Sequence, residues 1–139
     1  MSILTAEAYL SFDGTADAAI ALYQRALGAE VERILRYGDY PELASMTSHT
    51  TRVMHAVLRI GASRVLLNDV PPGTTVPRES NIRVTLELDD PNDAAVRFDA
   101  LAAGGTVRFP FDDMSGGKLG SLTDAYGISW TFHCPAKSA

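Results

Sequence analysis

Residues 10–31 and residues 86–107 of this 139-residue chain are near copies of each other. The first stretch reads LSFDGTADAAIALYQRALGAEV and the second LELDDPNDAAVRFDALAAGGTV, and they align without a gap at a constant offset of 76 residues. Eight of the 22 aligned positions are identical: Leu10 and Leu86, Asp13 and Asp89, Asp17 and Asp93, Ala18 and Ala94, Ala19 and Ala95, Ala26 and Ala102, Gly28 and Gly104, Val31 and Val107. Because both copies keep the order of strand pattern, turn, helix pattern and glycine, we interpret the chain as a tandem duplication.

The first copy opens a module with the order strand, helix, strand, strand, strand. Residues 7–12 alternate between apolar and polar side chains, which predicts a half-buried strand. A helix is expected over about residues 16–27, with Thr15 or Asp13 as its cap and Gly28 as its C-terminal stop. The apolar positions of this helix are Ala19, Ile20, Tyr23 and Leu27. Three further strands are predicted at residues 30–38, 54–61 and 63–69.

The second copy opens a module with the same order. Residues 70–80 contain three prolines, which lack the amide donor that a strand needs, so this stretch is predicted to be a linker. Residues 81–90 then alternate as a strand, with Ile82, Val84, Leu86 and Leu88 on one face. A helix is expected over residues 93–103. The remaining predicted strands are residues 106–111, 118–124 and 127–134.

These patterns predict an α+β fold of two tandem βαβββ modules that form a curved, eight-stranded mixed sheet around a cleft. We expect one domain over residues 1–139, with modules at about 4–70 and 80–135 joined by the linker. A four-stranded module with one helix covers only one face of its sheet. The uncovered faces of the two modules are therefore the expected walls of the cleft.

Charge and composition exclude several classes of function. Seventeen acidic residues against twelve basic ones give a net charge of −5, and the basic residues are scattered, which argues against a nucleic-acid partner. No apolar stretch approaches the length that spans a membrane, and the N-terminus lacks the pattern of a secretory signal. The single cysteine, Cys134, cannot form an internal disulfide and suits a reducing compartment. We therefore expect a cytoplasmic protein.

Three phrases of the sequence occur together in order: YLSFDGTADAAIALYQRALGAEVERILRYGD, MHAVLRIGASRVLLNDVPPG and GGKLGSLTDAYGISWTFHC. With the paired modules, they make the chain resemble the vicinal oxygen chelate superfamily, the glyoxalase/bleomycin-resistance/dioxygenase fold, and in particular its PhnB-like branch. That branch is sometimes labelled 3-demethylubiquinone methyltransferase-like. A methyltransferase of that kind needs a glycine-rich turn on a parallel α/β sheet, and neither pattern is present, so we discount the label.

The resemblance implies a test for a metal ion, because enzymes of this superfamily hold a divalent ion with His, Glu or Gln side chains from four strands. The matching positions here are Glu7, then Leu67 or Asn68, then Arg83, and finally Thr131. A guanidinium repels a cation, and leucine offers no lone pair, so three of the four positions are unsuitable. A register error on the last strand could bring in His133, but a pair of Glu7 and His133 is still too few ligands. We therefore expect no metal and no cofactor.

The mixed polar side chains of the expected cleft make up the candidate site. These are Glu7, Tyr9, Arg83, Thr131 and His133. They favour a protein that binds a small molecule without a metal ion. The alternative is a metal-dependent lyase or oxidoreductase of the glyoxalase or dioxygenase type, with a non-standard ligand set that includes His55, Asn68 or His133.

Three further expectations follow from position and pattern. Glu7 and its repeat partner Arg83 could form an ion pair. Trp130 falls on the helix-facing side of its strand and is expected in the core. The chain is expected to form a homodimer, because each sheet keeps exposed edges and residues 40–52, which include Leu43 and Met46, could form an arm across the interface.

Overall fold

The computed structural model describes residues 2–44 and 49–136. It divides into two compact units, Met1–Val76 and Pro77–Ala139, which are called module 1 and module 2 below. The elements of module 1 are β1 (Tyr9–Phe12), α1 (Ala16–Leu27), β2 (Glu30–Arg36), a 3-10 turn (Tyr37–Asp39), α2 (Pro41–Ala44), β3 (Val53–Ile60) and β4 (Ser63–Asp69). Those of module 2 are β5 (Val84–Glu87), α3 (Pro91–Ala102), β6 (Thr106–Met114), β7 (Gly117–Thr123) and β8 (Ser129–Pro135). The predicted tandem order of strand, helix and three strands is confirmed.

Each module has its own four-stranded mixed sheet, and both sheets have the same strand order. In module 1 the order is β1-β4-β3-β2, and in module 2 it is β5-β8-β7-β6. In module 1, β1 runs parallel to β4, with Leu10 opposite Leu67. In module 2, β5 runs parallel to β8, with Leu86 opposite Phe132. The other pairs are antiparallel. The eight predicted strands are thus divided into two equivalent sheets. That the two modules act as a single domain stays a prediction.

The core of module 1 lies between α1 and the sheet. All four apolar helix positions expected from the spacing are buried, and Ala16, Leu22 and Ala26 are buried with them. Gly28 ends the helix at φ +66°, a left-handed conformation that glycine adopts without steric cost. The sheet contributes Phe12, Leu58 and Leu67 to this core. The bounds of α1 are those that the sequence predicts.

The core of module 2 is more aromatic. Trp130 and Phe132 on β8 are fully buried, which confirms the prediction for Trp130. Phe98 of α3 packs edge-on against Phe132, with ring centroids 5.2 Å apart. The helix starts two residues before the predicted position, because the carboxylate of Asp90 accepts hydrogen bonds from the backbone N–H groups of Asn92 and Asp93.

Several local predictions are wrong, each for a physical reason. β5 is confined to Val84–Glu87, because only these four residues pair with β8, and Ile82 lies outside the strand with 73% of its surface exposed. Thr15 occupies the N-cap position of α1, as predicted, but its side chain makes no capping hydrogen bond. The Asp69 carboxylate, at the end of β4, instead accepts from the N–H of Ala16.

The stretch predicted to be an interface arm is only partly described. It begins directly after the 3-10 turn and contains the short helix α2. Met46 lies outside the described residues. No helix among the described residues has the length and apolar character needed to cross a membrane.

Candidate functional site

The sheet of module 1 carries a polar cluster on the face opposite its core. Tyr9 Oη lies 2.9 Å from His55 Nδ1, and which of the two donates depends on the tautomer of the imidazole. One row along the sheet, Ser11 Oγ donates to Asn68 Oδ1 at 2.8 Å. Burial, and then the neighbouring phenol of Tyr37, raise the pKa of Tyr9 above its usual value. Tyr9 is therefore a neutral hydrogen-bonding group at neutral pH.

Glu7 has a partner within module 1 that the sequence reasoning did not identify. Its Oε1 accepts from Arg64 Nη2 at 2.9 Å and from Arg64 Nε at 3.2 Å. Glu7 lies before β1, whose first residue is Tyr9, so it is positioned by this ion pair and not by the strand ladder. Its charge is already compensated, which weakens it as a ligand for a cation.

Two adjoining concavities of module 2 lie near Arg83, and the larger of these two, called the larger concavity below, has a volume of about 460 Å³ and lies on the face of the sheet opposite Trp130. Thr131 and Ser121 are paired in register at its base, and Arg83 projects from the segment before β5. The remaining lining residues are Phe109, Pro110, Asp112, Asp113, Met114, Leu119 and Gly120. Two predicted site residues, Arg83 and Thr131, thus line one concavity.

A smaller concavity of about 290 Å³ adjoins the larger one and shares Arg83, Phe109 and Ser121 with it. Its other lining residues are Glu79, Ser80, Arg108, Leu122 and Ser129. Arg108 is held in place by a hydrogen bond from its Nε to Thr123 Oγ1 at 3.2 Å. The two spaces together offer two guanidinium groups beside an exposed aromatic ring.

His133 lines neither concavity, although it is paired in register with Leu119, which lines the larger one. Its Nδ1 is 2.8 Å from Glu87 Oε2, and the two residues are paired in register between β8 and β5. The structure therefore distributes the five predicted residues over three places: Glu7 and Tyr9 in module 1, Arg83 and Thr131 in the larger concavity, and His133 beside Glu87. That all five serve one ligand stays a prediction.

Arg108 and Phe109 are the site residues that sequence reasoning missed. They lie in the RFPF stretch of β6, which predicts only a strand. The pairing of β6 with β7 shifts register between Val107 and Phe109 and again between Phe109 and Asp112. Such irregularities reorient side chains, so simple alternation does not show which residues face the concavity. The exposure of Phe109 and the edge position of β6 are known only from the structure, so no pattern in the sequence points to these two residues.

The residues present do not fit a divalent metal ion of the kind that the superfamily resemblance implies. Among residues 2–44 and 49–136, no group of three or more His, Cys, Asp or Glu side chains is placed to hold a metal ion. Leu67 is fully buried, and Asn68 accepts from Ser11. Arg83 supplies a positive charge where the superfamily places a ligand, and a guanidinium has no lone pair to donate.

Comparisons with known proteins give a consistent result. A model of the Glyoxalase/Bleomycin resistance protein/Dioxygenase superfamily matches residues 7–132. Protein YjdN of Escherichia coli K12 is 30% identical over 132 residues, which cover 88% of this chain and 89% of that protein. The crystal structure of PA1353 from Pseudomonas aeruginosa has a TM-score of 0.85 at 29% identity, covering 97% of this chain and 100% of that one. The PhnB protein from Bacillus cereus has a TM-score of 0.76 at 22% identity, covering 94% and 98%.

Proposed function

Because this chain belongs to the glyoxalase/bleomycin resistance/dioxygenase superfamily and to its PhnB-like branch, we propose that it binds a small molecule in the larger concavity of module 2, without a metal ion. The fold alone does not select this function, since one fold hosts many chemistries. The proposal depends on the residues of the site.

The observation that carries the proposal is the combination of size and lining in the larger concavity. Its volume of about 460 Å³ lies in the range of small-molecule sites. Phe109, Met114 and Leu119 provide an apolar wall, and Arg83 and Thr131 provide polar groups that can orient a ligand. Phe109 is 71% exposed and Met114 59% exposed, so a ligand would remove apolar surface from water.

Independence from metal is supported by the donor types at the site. The superfamily-equivalent positions carry a guanidinium at Arg83 and a hydroxyl at Thr131, and Glu7 is occupied by Arg64. A divalent ion needs carboxylate, imidazole or thiolate lone pairs, several of them converging on one point. The alternative of a metal-dependent lyase or oxidoreductase has no such donor set to support it within the described part of the chain.

We expect small-molecule binding to survive removal of metal and to depend on Phe109. The protein is treated with EDTA and screened against a small-molecule library by thermal shift, since a ligand of the folded state raises the melting temperature. Dissociation constants of the hits are then measured for the parent, Phe109→Ala and Val96→Ala. Val96 is a matched control, because it is 69% exposed and lies on α3.

Loss of the contact between the ligand and the phenyl ring should weaken binding about tenfold in Phe109→Ala, which corresponds to about 1.4 kcal/mol. Val96→Ala should bind as the parent does. Hits that bind only after addition of zinc, nickel or manganese would support the metal-dependent alternative instead. Equal affinity in Phe109→Ala would place the ligand elsewhere on the molecule.

The homodimer and the cytoplasmic location stay predictions. The edge strand β2 supports association, because Val31 is 38% exposed and Ile34 36% exposed along it. An exposed strand edge with apolar neighbours favours pairing with another chain.

A further inference from the structure

We infer that the ligand combines a compact anionic group with an apolar part, the anion lying between Arg83 and Arg108 in the smaller concavity and the apolar part covering Phe109 in the larger one. The anionic group is a carboxylate, phosphate or phosphonate. This inference rests on the proposed function and specifies the chemical class of its ligand.

Five of the ten arginines are held in ion pairs with carboxylates among the described residues, and Arg83 and Arg108 belong to the five that are not, together with Arg25, Arg33 and Arg78. Ion pairs occupy Arg36, Arg52, Arg59, Arg64 and Arg97. Arg83 has no hydrogen bond or ion pair to the described residues, and Arg108 uses only its Nε, in the bond to Thr123. The N–H donors of Arg83 and the terminal nitrogens of Arg108 therefore remain available. Guanidinium groups bind carboxylate and phosphate oxygens through paired hydrogen bonds.

The other polar groups of the smaller concavity suit the same kind of ligand. Three serine hydroxyls, those of Ser80, Ser121 and Ser129, lie on its wall and can donate to anion oxygens. Among the described residues that line this wall, Glu79 is the one carboxylate, so the two guanidinium groups leave a local excess of positive charge. This excess is confined to the smaller concavity and occurs in a chain whose net charge is −5, so it is not a general property of the surface.

The orientation of the ligand follows from the charges of the larger concavity. Asp112 and Asp113 lie on its wall, and Lys118 approaches Asp113 at 3.6 Å. An anion would be repelled from this end, whereas the apolar surface of Phe109 and Met114 is open there. Since Arg83, Phe109 and Ser121 belong to both spaces, one molecule can extend from the smaller concavity into the larger one.

Isothermal titration calorimetry with four simple probes tests this inference on the full chain. The probes are phenylphosphonate, benzoate, benzamide and inorganic phosphate. Phenylphosphonate or benzoate should bind at least about tenfold more tightly than neutral benzamide, and the stronger of the two identifies the class of anion. Phenylphosphonate should also bind more tightly than inorganic phosphate, because only the former contacts Phe109.

Three variants test whether Arg83 and Arg108 bind the anionic group of the probes. Arg83→Gln and Arg108→Gln should each lower the affinity for the anionic probes about fivefold to tenfold. The affinity for benzamide should stay within about twofold of the parent's. Arg97→Gln, on the outer side of α3, is the matched control and should bind all probes as the parent does. Melting temperatures of the variants confirm that they are folded.

The outcomes separate the inference from the proposed function. Equal affinity for benzamide and the anions, or unchanged anion binding in both site variants, overturns the anionic class and leaves small-molecule binding intact. Equal affinity for inorganic phosphate and phenylphosphonate would contradict the inference that an apolar part of the ligand covers Phe109. Absence of binding by all three aromatic probes at millimolar concentration contradicts the inference and the proposed function together.

Discussion

Replacing Asp124 with alanine should lower the free energy of unfolding by about 3 kcal/mol, because it leaves one buried indole N–H and two partly buried backbone N–H groups without their acceptor. The carboxylate is 1% exposed. Its Oδ1 accepts from the N–H groups of Tyr126 and Ile128, and its Oδ2 accepts from Trp130 Nε1 at 2.9 Å. Since Trp130 is itself fully buried in the core of module 2, its indole N–H cannot turn to water.

Urea denaturation followed by tryptophan fluorescence measures this loss directly, since Trp130 is the single tryptophan. The stability of Asp124→Asn should lie between those of Asp124→Ala and the parent. The amide oxygen can keep some of the hydrogen bonds, but the amide NH2 group replaces the second acceptor and faces a donor. Asp99→Ala, at an exposed position of α3, is the control and should change stability by less than about 0.5 kcal/mol. A loss below about 1 kcal/mol in Asp124→Ala would contradict the role assigned to the carboxylate.

A comparable loss, also about 3 kcal/mol, is expected for Asp69→Ala in module 1. Asp69 is 1% exposed, and its two oxygens accept from the backbone N–H groups of Ala16 and Val53, each at 3.0 Å. The side chain thus ties the first turn of α1 to the start of β3. Without it, two backbone donors are buried with no partner, and the N-terminus of α1 loses a favourable negative charge.

Chemical denaturation of Asp69→Ala beside Glu30→Ala tests this second loss. Glu30 is an exposed acidic residue on the edge strand β2 and should tolerate alanine with little change. Similar stability in the two variants would show that the N–H groups of Ala16 and Val53 find other partners when the Asp69 carboxylate is removed.

The periodicity of the sequence predicted the bounds of an element well where a nearby residue, such as a glycine, marks its end. The bounds of α1 agree with the prediction, because Gly28 marks its end. The caps provided by distant residues were missed. Asp69 lies 53 positions from Ala16 in the sequence, so a pattern of neighbouring residues does not indicate that its carboxylate reaches the helix.

The role of Asp124 could have been deduced from sequence, since its partners follow within six positions. In the sequence, the phrase LTDAYGISW marks the family resemblance. Physically, it is a turn in which an aspartate accepts from the N–H groups two and four residues ahead of it. The glycine of the phrase, Gly127, has φ +96°. The phrase is therefore a folding signal of the β7–β8 connection.

The candidate site was predicted only in part. Arg83 and Thr131 were found by alignment to the superfamily, and both line the larger concavity. Arg108 and Phe109 were not found, because register shifts in β6 decide which of its side chains face the site. Glu7 was placed at the site on the same grounds as Arg83, but Arg64, 57 residues away in sequence, binds its carboxylate.

The most direct test of the central claim is the location of a bound ligand on the metal-free chain. Isotope-labelled protein treated with EDTA is titrated with phenylphosphonate, and the amide chemical shifts are followed by NMR. We expect saturable shifts at Arg83, Phe109, Ser121 and Thr131, unchanged when zinc is added afterwards. Shifts that are confined to Tyr9 and His55 in module 1, or that develop only in the presence of metal, would contradict a metal-free site on module 2.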